Sequence, residues 1–193
     1  MPIFEIRKES VVPDRRRFLF RAGYKGSAFS LSAQIREYVG NTHLRALGVI
    51  DPFLFYETSD TRELISLGFL PASFFETSRV TVFVSTLGLR MDEEIQRDFA
   101  DGKTLEPVLL DAWASEALEA INDRFDTSVR EGRSGTRRFS PGYGDVDIRK
   151  NREALAFLSS QAGFALGDRV RVIPSTGILI PRKTTIAMIG WFS

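Results

Sequence analysis

Cysteine is missing altogether from these 193 residues, and histidine occurs once, at position 43. Without thiols the chain can form no disulfide, thiolate metal site, iron–sulfur cluster or cysteine nucleophile. His43, in VGNTHLRALGV, has no second imidazole or thiol with which to share a metal, and reads as a helix-surface or boundary residue rather than a general base. Charge of one sign is also lacking. The 26 Lys+Arg nearly balance 25 Asp+Glu, a net charge of +1, so no bulk field favours nucleic acid or an anionic membrane. No apolar run approaches the roughly 18 residues that cross a bilayer, and the N-terminus shows no secretion-signal pattern. Nucleophile-elbow, P-loop and HExxH patterns are absent. Gly23-Tyr24-Lys25-Gly26 is a short turn without the strand–helix context of a phosphate loop. The expectation is a cytoplasmic protein with neither nucleic-acid nor membrane partners and no metal site of its own.

The chain is long enough for one full core, and 43% hydrophobic with 26% charged residues is ordinary globular composition. With no repeat, low-complexity segment or composition break, residues 1–193 are expected to form a single domain. Ile3 to Arg7 alternates apolar and polar residues like a half-buried strand. Pro13-Asp14 opens a helix that turns Phe18 and Leu19 inward and ends at Gly23. Arg15-Arg16-Arg17 on it is a solvated face or a docking patch for an acidic partner. Ser30 or Ser32 is placed to cap a second helix through about Val39, buried through Ile35 and Tyr38. Pro52 to Thr58 reads as a strand and Arg62 to Leu67 as a short helix. Phe53, Phe55, Phe69, Phe74 and Phe75 are assigned to core packing, with a partner-facing patch as the alternative.

Val80 to Val84 is a near-continuous apolar run, which predicts a buried strand. A polar helix over Met91 to Ala100 follows. From Glu106-Pro107 onward, Leu110, Trp113, Ala117, Ile121 and Phe125 recur at helical spacing, with Asp111, Glu119 and Asp123 away from that stripe. Asp145 or Asp147 caps a further helix to Ser160, with Gly163 just past its end, and Val170 to Ile173 and Thr184 to Trp191 read as strands. Strands and helices mix without a steady βαβ alternation, so the fold class expected is α+β, a largely antiparallel twisted sheet with flanking helices.

The segment richest in chemistry is Arg138-Phe139-Ser140-Pro141-Gly142-Tyr143-Gly144-Asp145. Pro141 fixes its own φ and Gly142 can take backbone angles closed to other residues, so the turn can hold Arg138 and Tyr143 at a defined separation. A guanidinium grips a carboxylate through two parallel hydrogen bonds and an aromatic ring packs on a cation, which suits a small zwitterionic ligand. A plain surface turn is the competing reading of the same residues.

In order, VTVFVSTLG, the LLDA-containing helix, RFSPGY and a closing segment through Ser175, Ile178 or Leu179, Pro181, Thr184 or Thr185 and Ala187 to Gly190 resemble the activation (reactivation) domain of cobalamin-dependent methionine synthase. The resemblance covers roughly residues 80–192; residues 1–79 carry no match and are read as the N-terminal part of the same domain. It implies a site for S-adenosylmethionine formed by Arg138, Phe139, Ser140, Pro141, Gly142 and Tyr143, with Glu119 and, through a one-residue shift of the alignment, Glu131. In that family the arginine contacts the ligand's amino-acid tail, a small residue at the Ser140 position lets the backbone approach, and the tyrosine closes the loop. Glu119 would oppose the sulfonium or amino group, unless it is simply a solvated helix residue. No catalytic acid, base or nucleophile is implied, because the work is positional.

The implied function is support of the reductive methylation of cob(II)alamin, with cobalamin supplied by a partner, a cobalamin-binding methionine synthase or related corrinoid protein, and an electron from a flavodoxin-type reductant. The chain would thus be an accessory to a methyltransferase. It departs from the family in three ways. Gly144-Asp145-Val146-Asp147 stands where integrated domains carry Cys-Pro-Asp/Glu-His, the final aromatic segment is missing after Ser193, and a ligand-holding aspartate of the N-terminal part has no counterpart. From this the expectation is a free-standing module that works in trans. Two further readings stay open: a ligand-independent docking or chaperone-like partner of a corrinoid methyltransferase, and an unrelated enzyme whose Arg138 and Tyr143 hold an acidic metabolite.

Overall fold

The computed structural model describes residues 3–25 and 31–192. Gly26, the far end of the short turn, and Ser30, one of the two candidate caps, lie outside them. Three strands, β1 (Phe53–Asp60), β2 (Arg79–Thr86) and β5 (Thr184–Trp191), form an antiparallel sheet in the order β1-β2-β5. A two-stranded antiparallel ribbon, β3 (Arg171–Val172) with β4 (Leu179–Ile180), stands beside it. The helices are α1 (Arg15–Arg21), α2 (Ala33–Val49), α3 (Thr61–Ile65), α4 (Leu89–Ala100), α5 (Leu105–Arg130) and α6 (Asn151–Gln161). The fold is α+β, a largely antiparallel sheet with flanking helices.

Apolar alternation explains the layers. Side chains on a strand point to opposite faces in turn. Val80, Val82 and Val84 of β2 enter one cluster with Phe53, Phe55, Ile186, Met188 and the apolar faces of α3 and α6. Phe83 enters the other, with Leu54, Ala187 and the helices α1, α2, α4 and α5. A central strand covered on both faces must be apolar throughout or hydrogen-bond its polar residues. Thr81 does so, accepting from Trp191 Nε1 at 2.8 Å, and Ser85 Oγ donates to Asn122 Oδ1 at 2.5 Å.

Several boundaries differ from the sequence reading. Ile3 makes only an isolated bridge to Phe55, with Phe4 N–H donating to Leu54 C=O at 3.0 Å, and Lys8–Ser10 then turns as a 3-10 segment. The alternation there is real, but among the described residues pairing does not extend beyond one bridge. Ser32 caps α2, accepting from Ile35 N at 3.3 Å, and the helix runs to Val49 rather than stopping at Val39. Val39, Thr42 and Ala46 continue its buried stripe, and Thr42 Oγ1 donates back to Tyr38 C=O, so Gly40 does not end it. Asp14 caps α1 through Arg17 N at 2.7 Å, leaving Pro13 just outside the helix. Among the phenylalanines assigned to the core, Phe53, Phe55, Phe69 and Phe74 are buried, but Phe75 is 53% exposed. His43 is engaged between helices: its Nδ1 accepts from Trp113 Nε1 at 3.1 Å, linking α2 to α5. No described helix is long and apolar enough to cross a membrane.

Candidate functional site

Residues 134–139 leave the end of α5 and run along the free edge of β5. Thr136 N–H donates to Gly190 C=O at 2.8 Å, and Phe139 exchanges both backbone hydrogen bonds with Met188, at 3.0 and 2.8 Å. The Phe139 ring packs on Phe74, with centroids 6.1 Å apart. This pairing delivers the Pro-Gly turn to a fixed place. Beside it opens a cleft of about 570 Å³, walled by the turn, by Glu119 of α5, by the start of α6 and by the segment joining β4 to β5.

Arg138 enters this cleft already engaged. Its Nη2 donates to Glu119 Oε2 at 2.6 Å and its Nη1 to Asp123 Oδ1 at 3.1 Å, both one face of α5. The side chain is 20% exposed, while that of Glu119 remains 42% exposed. Ser140 lines the cleft, and among the described residues neither of its backbone groups takes part in a hydrogen bond. Both stay available to a ligand. Pro141 is buried, and Gly142 adopts φ +97°, a region closed to most side chains, while its N–H closes the turn onto Val146 C=O at 2.8 Å. Tyr143 follows, 71% exposed at the mouth of the cleft.

Of the two aspartates considered as caps, Asp147 takes the role. It accepts from Arg149 N at 2.8 Å and opens the 3-10 turn that leads into α6, and the Arg149 side-chain hydrogen bond holds its carboxyl well below the ordinary aspartate range. Asp145 instead accepts from Ala72 N at 2.9 Å, tying the turn to the segment before β2.

The opposite wall was not picked out as a site from sequence. Gly177, at φ +76°, sits so close to the Ile148–Arg149 backbone that a Cβ would lie 2.4 Å from Ile148 C=O. Its own carbonyl accepts from the buried Asn151 Nδ2 at 3.0 Å. Arg182, Thr184 and Thr185 complete this wall. Arg182 N–H donates to Asp92 Oδ2 of α4 at 2.5 Å. Burial pushes the Asp92 carboxyl above its ordinary value, despite that hydrogen bond and the nearby Lys183 and Arg182. Lys183 Nζ is bound to Asp111 Oδ1 at 2.7 Å and to Ser115 Oγ at 2.9 Å. The only signal in the sequence for this wall is the closing segment around Pro181 and Thr184–Thr185, which carries no chemistry legible by itself.

The structure therefore brings Glu119, Arg138, Phe139, Ser140, Pro141 and Tyr143 to one cleft, with Gly142 inside the turn. Glu131 stands apart: it ends α5 in a left-handed conformation, φ 42°, and is exposed outside the cleft lining. Among the described residues no group of His, Asp and Glu is arranged to hold a metal.

No protein-family model matches the chain, and no curated protein matches it by sequence. Among solved structures it is similar to the MetH reactivation domain bound to AdoHcy, with a TM-score of 0.65 and 12% sequence identity, covering 98% of this chain and 77% of that one. At that identity the likeness is one of fold, and at that coverage it extends over residues 1–79 as well as over the part that carries the sequence resemblance. The chain has the fold of that reactivation domain.

Proposed function

We propose that the cleft beside Arg138–Tyr143 binds S-adenosylmethionine and that the protein serves as a reactivation module, acting in trans on a cobalamin-dependent methionine synthase or a related corrinoid protein. The observation that carries this reading is the coincidence of two facts: a fold shared with a reactivation domain bound to AdoHcy, and a cleft at the very loop where the sequence resembles that family. At about 570 Å³ the cleft falls in the range that encloses a small cofactor-sized ligand, roughly 300–1,000 Å³. Its lining matches a zwitterionic sulfonium. Glu119 offers a partly exposed carboxylate for positive charge, Tyr143 an exposed aromatic face for a cation or a flat ring, and Ser140 free backbone groups.

When bound, the sulfonium supplies an electrophilic methyl group to the corrinoid held by the partner. This chain's residues bind and orient. Arg138 braces Glu119 and Asp123 and so fixes the α5 carboxylate relative to the turn, and the Phe139–Met188 pairing keeps the turn from drifting. Such fixed placement is what converts an encounter between two bound molecules into a productive one.

The tie between Arg138 and the α5 carboxylates favours a second reading, in which the fold is kept for docking to a corrinoid methyltransferase and the ligand is not bound. Titration calorimetry with S-adenosylmethionine, with and without a cobalamin-dependent methionine synthase that lacks its own reactivation domain, separates the two. Saturable heat, and recovery of turnover by cob(II)alamin-arrested synthase given S-adenosylmethionine and a flavodoxin-type donor, is the expected result. Absence of heat in both mixtures rejects the ligand reading and leaves docking.

A further inference from the structure

We propose that the protein carries a second ligand site, a cavity between the start of α1, one face of α2 and Trp113 of α5, which takes a small carboxylate with a compact apolar body. The cavity holds about 310 Å³, at the lower end of the range for small-molecule sites, and shares no lining residue with the cleft at Arg138–Tyr143. Its α2 wall consists of Arg36, Val39, Gly40 and His43, spaced as one helix face. Val39 is buried, as are Phe18 of α1 and Trp113 of α5, and together they offer apolar contact to a ring or a branched chain. At Gly40 the wall is bare. This glycine lies inside α2, where it costs stability relative to alanine, and a Cβ there would meet nothing within 4 Å. Packing thus gives no reason for the missing side chain, whereas a ligand lying against the helix does.

The polar residues around the cavity are donors and cations. An indole N–H can only donate, so the Trp113 Nε1 hydrogen bond at 3.1 Å fixes His43 Nδ1 as the acceptor and, in the neutral ring, leaves the proton on Nε2. Among the described residues that Nε2–H meets no acceptor, and the atom is not sealed from solvent. Arg15 and Arg36, both exposed, border the cavity from α1 and α2, and among the described residues neither forms an ion pair. No Asp or Glu among the described residues lines it. The carboxylates next along the chain offset the positive charge only in part. Glu37 stands beside Arg36, and Asp14 caps α1 through Arg17 N beside three consecutive arginines. Of those three, only Arg17 is paired among the described residues, with Asp123 at 3.9 Å. An imidazole N–H and two arginines with no acid among them favour an anion, and the apolar walls favour one with a hydrophobic body.

The test uses the single histidine as its reporter, since every imidazole signal in an NMR spectrum of the untagged chain comes from His43. The probes are phenylpropanoate and its neutral amide. The acid should shift the His43 signals saturably, and saturating S-adenosylmethionine should not displace it. The amide should bind about ten- to a hundredfold more weakly, the loss of a charge-assisted contact. Arg15→Gln combined with Arg36→Gln should weaken the acid by a similar factor and leave the amide unchanged. Gly40→Leu should abolish the response while the urea midpoint stays level or rises, because the new side chain occupies the cavity and replaces a helical glycine. Should that substitution lower the midpoint, the arginine variant alone decides. No saturable shift with the acid, equal affinity for acid and amide, displacement by S-adenosylmethionine, or binding that survives the substitutions overturns the second site, and leaves the reading of the Arg138–Tyr143 cleft as it stands.

Discussion

At the scale of single residues, the site depends on two glycines that do different work. Gly142 supplies a positive φ in the Pro-Gly turn, and a Cβ there would approach Ile148 Cβ to 3.4 Å, a contact that can relax. Gly177 combines positive φ with a backbone approach that cannot, since the atoms in the way are the main chain of Ile148 and Arg149. Gly142→Ala is therefore expected to cost about 1–3 kcal/mol of backbone strain. Gly177→Ala adds overpacking to the strain and should cost about 2–6 kcal/mol. Urea denaturation of the two variants gives the order directly; equal midpoints would mean that the 148–149 backbone yields. The first glycine was legible in sequence because Pro-Gly is a local turn signal. The second was not, because the backbone it meets lies 29 residues earlier in the chain at its nearest atom, Ile148 C=O.

At the scale of elements, α2 and α4 are clamped by a charged cluster. Arg45 of α2 binds Glu94, with Nη2 to Oε2 at 2.6 Å, and Asp98, which is also held by Lys103 Nζ at 2.7 Å. Burial pushes the Asp98 carboxyl up, but hydrogen bonds from Arg45 and Lys103 outweigh it and leave it below the ordinary value of 3.8. The Arg45 hydrogen bond likewise lowers Glu94 below 4.5. A carboxyl whose folded value lies below its unfolded one stabilises the fold fully above the unfolded value and loses that contribution as pH falls through the folded one. Asp92 works in the opposite sense: burial raises it, so its contribution declines as pH climbs past 3.8. Stability should thus drop as pH is lowered through the range beneath 4.5, and Asp98→Asn should flatten that slope. Urea midpoints for the two proteins at a series of pH values check this; parallel curves would remove the clamp from the account. The length of α2 belongs to this scale too. The sequence expectation carries this helix through about Val39, but the buried Ala46 and the Arg45 clamp draw it on to Val49.

At the scale of the whole molecule, one three-stranded sheet carries helical layers on both faces, and β2 is buried from both sides. Phe83 sits at its centre, packed on Phe125 with centroids 4.8 Å apart. Phe83→Ala should cost about 3–5 kcal/mol. Because both clusters share the sheet, far-ultraviolet circular dichroism and tryptophan fluorescence from Trp113 and Trp191 should lose their signals at one midpoint, before and after the substitution. Separate midpoints would divide the chain into independent units. The shared fold teaches a related lesson. Residues 1–79 carry no match by motif, yet the likeness to the MetH reactivation domain covers 98% of the chain at 12% identity. What those residues contribute is a burial pattern, Phe18 and Leu19 on α1, Val39 and Ala46 on α2, Leu54 and Phe55 on β1, and many different side chains satisfy such a pattern.

The sequence by itself determined what depends on neighbours along the chain: the buried run of β2, the apolar stripe of α5, the Pro-Gly turn, and, through its lack of thiols, the chemistries that are closed to the protein. Only the tertiary structure decided that Arg138 meets Glu119 and Asp123, and that Asn151, Gly177 and Arg182 form the opposite wall. The physical reason is one of range. Periodicity and turn chemistry act over a few residues, whereas the pairing of a guanidinium with a carboxylate follows from which helix face packs beside which loop, and that is settled by the burial of the entire sheet.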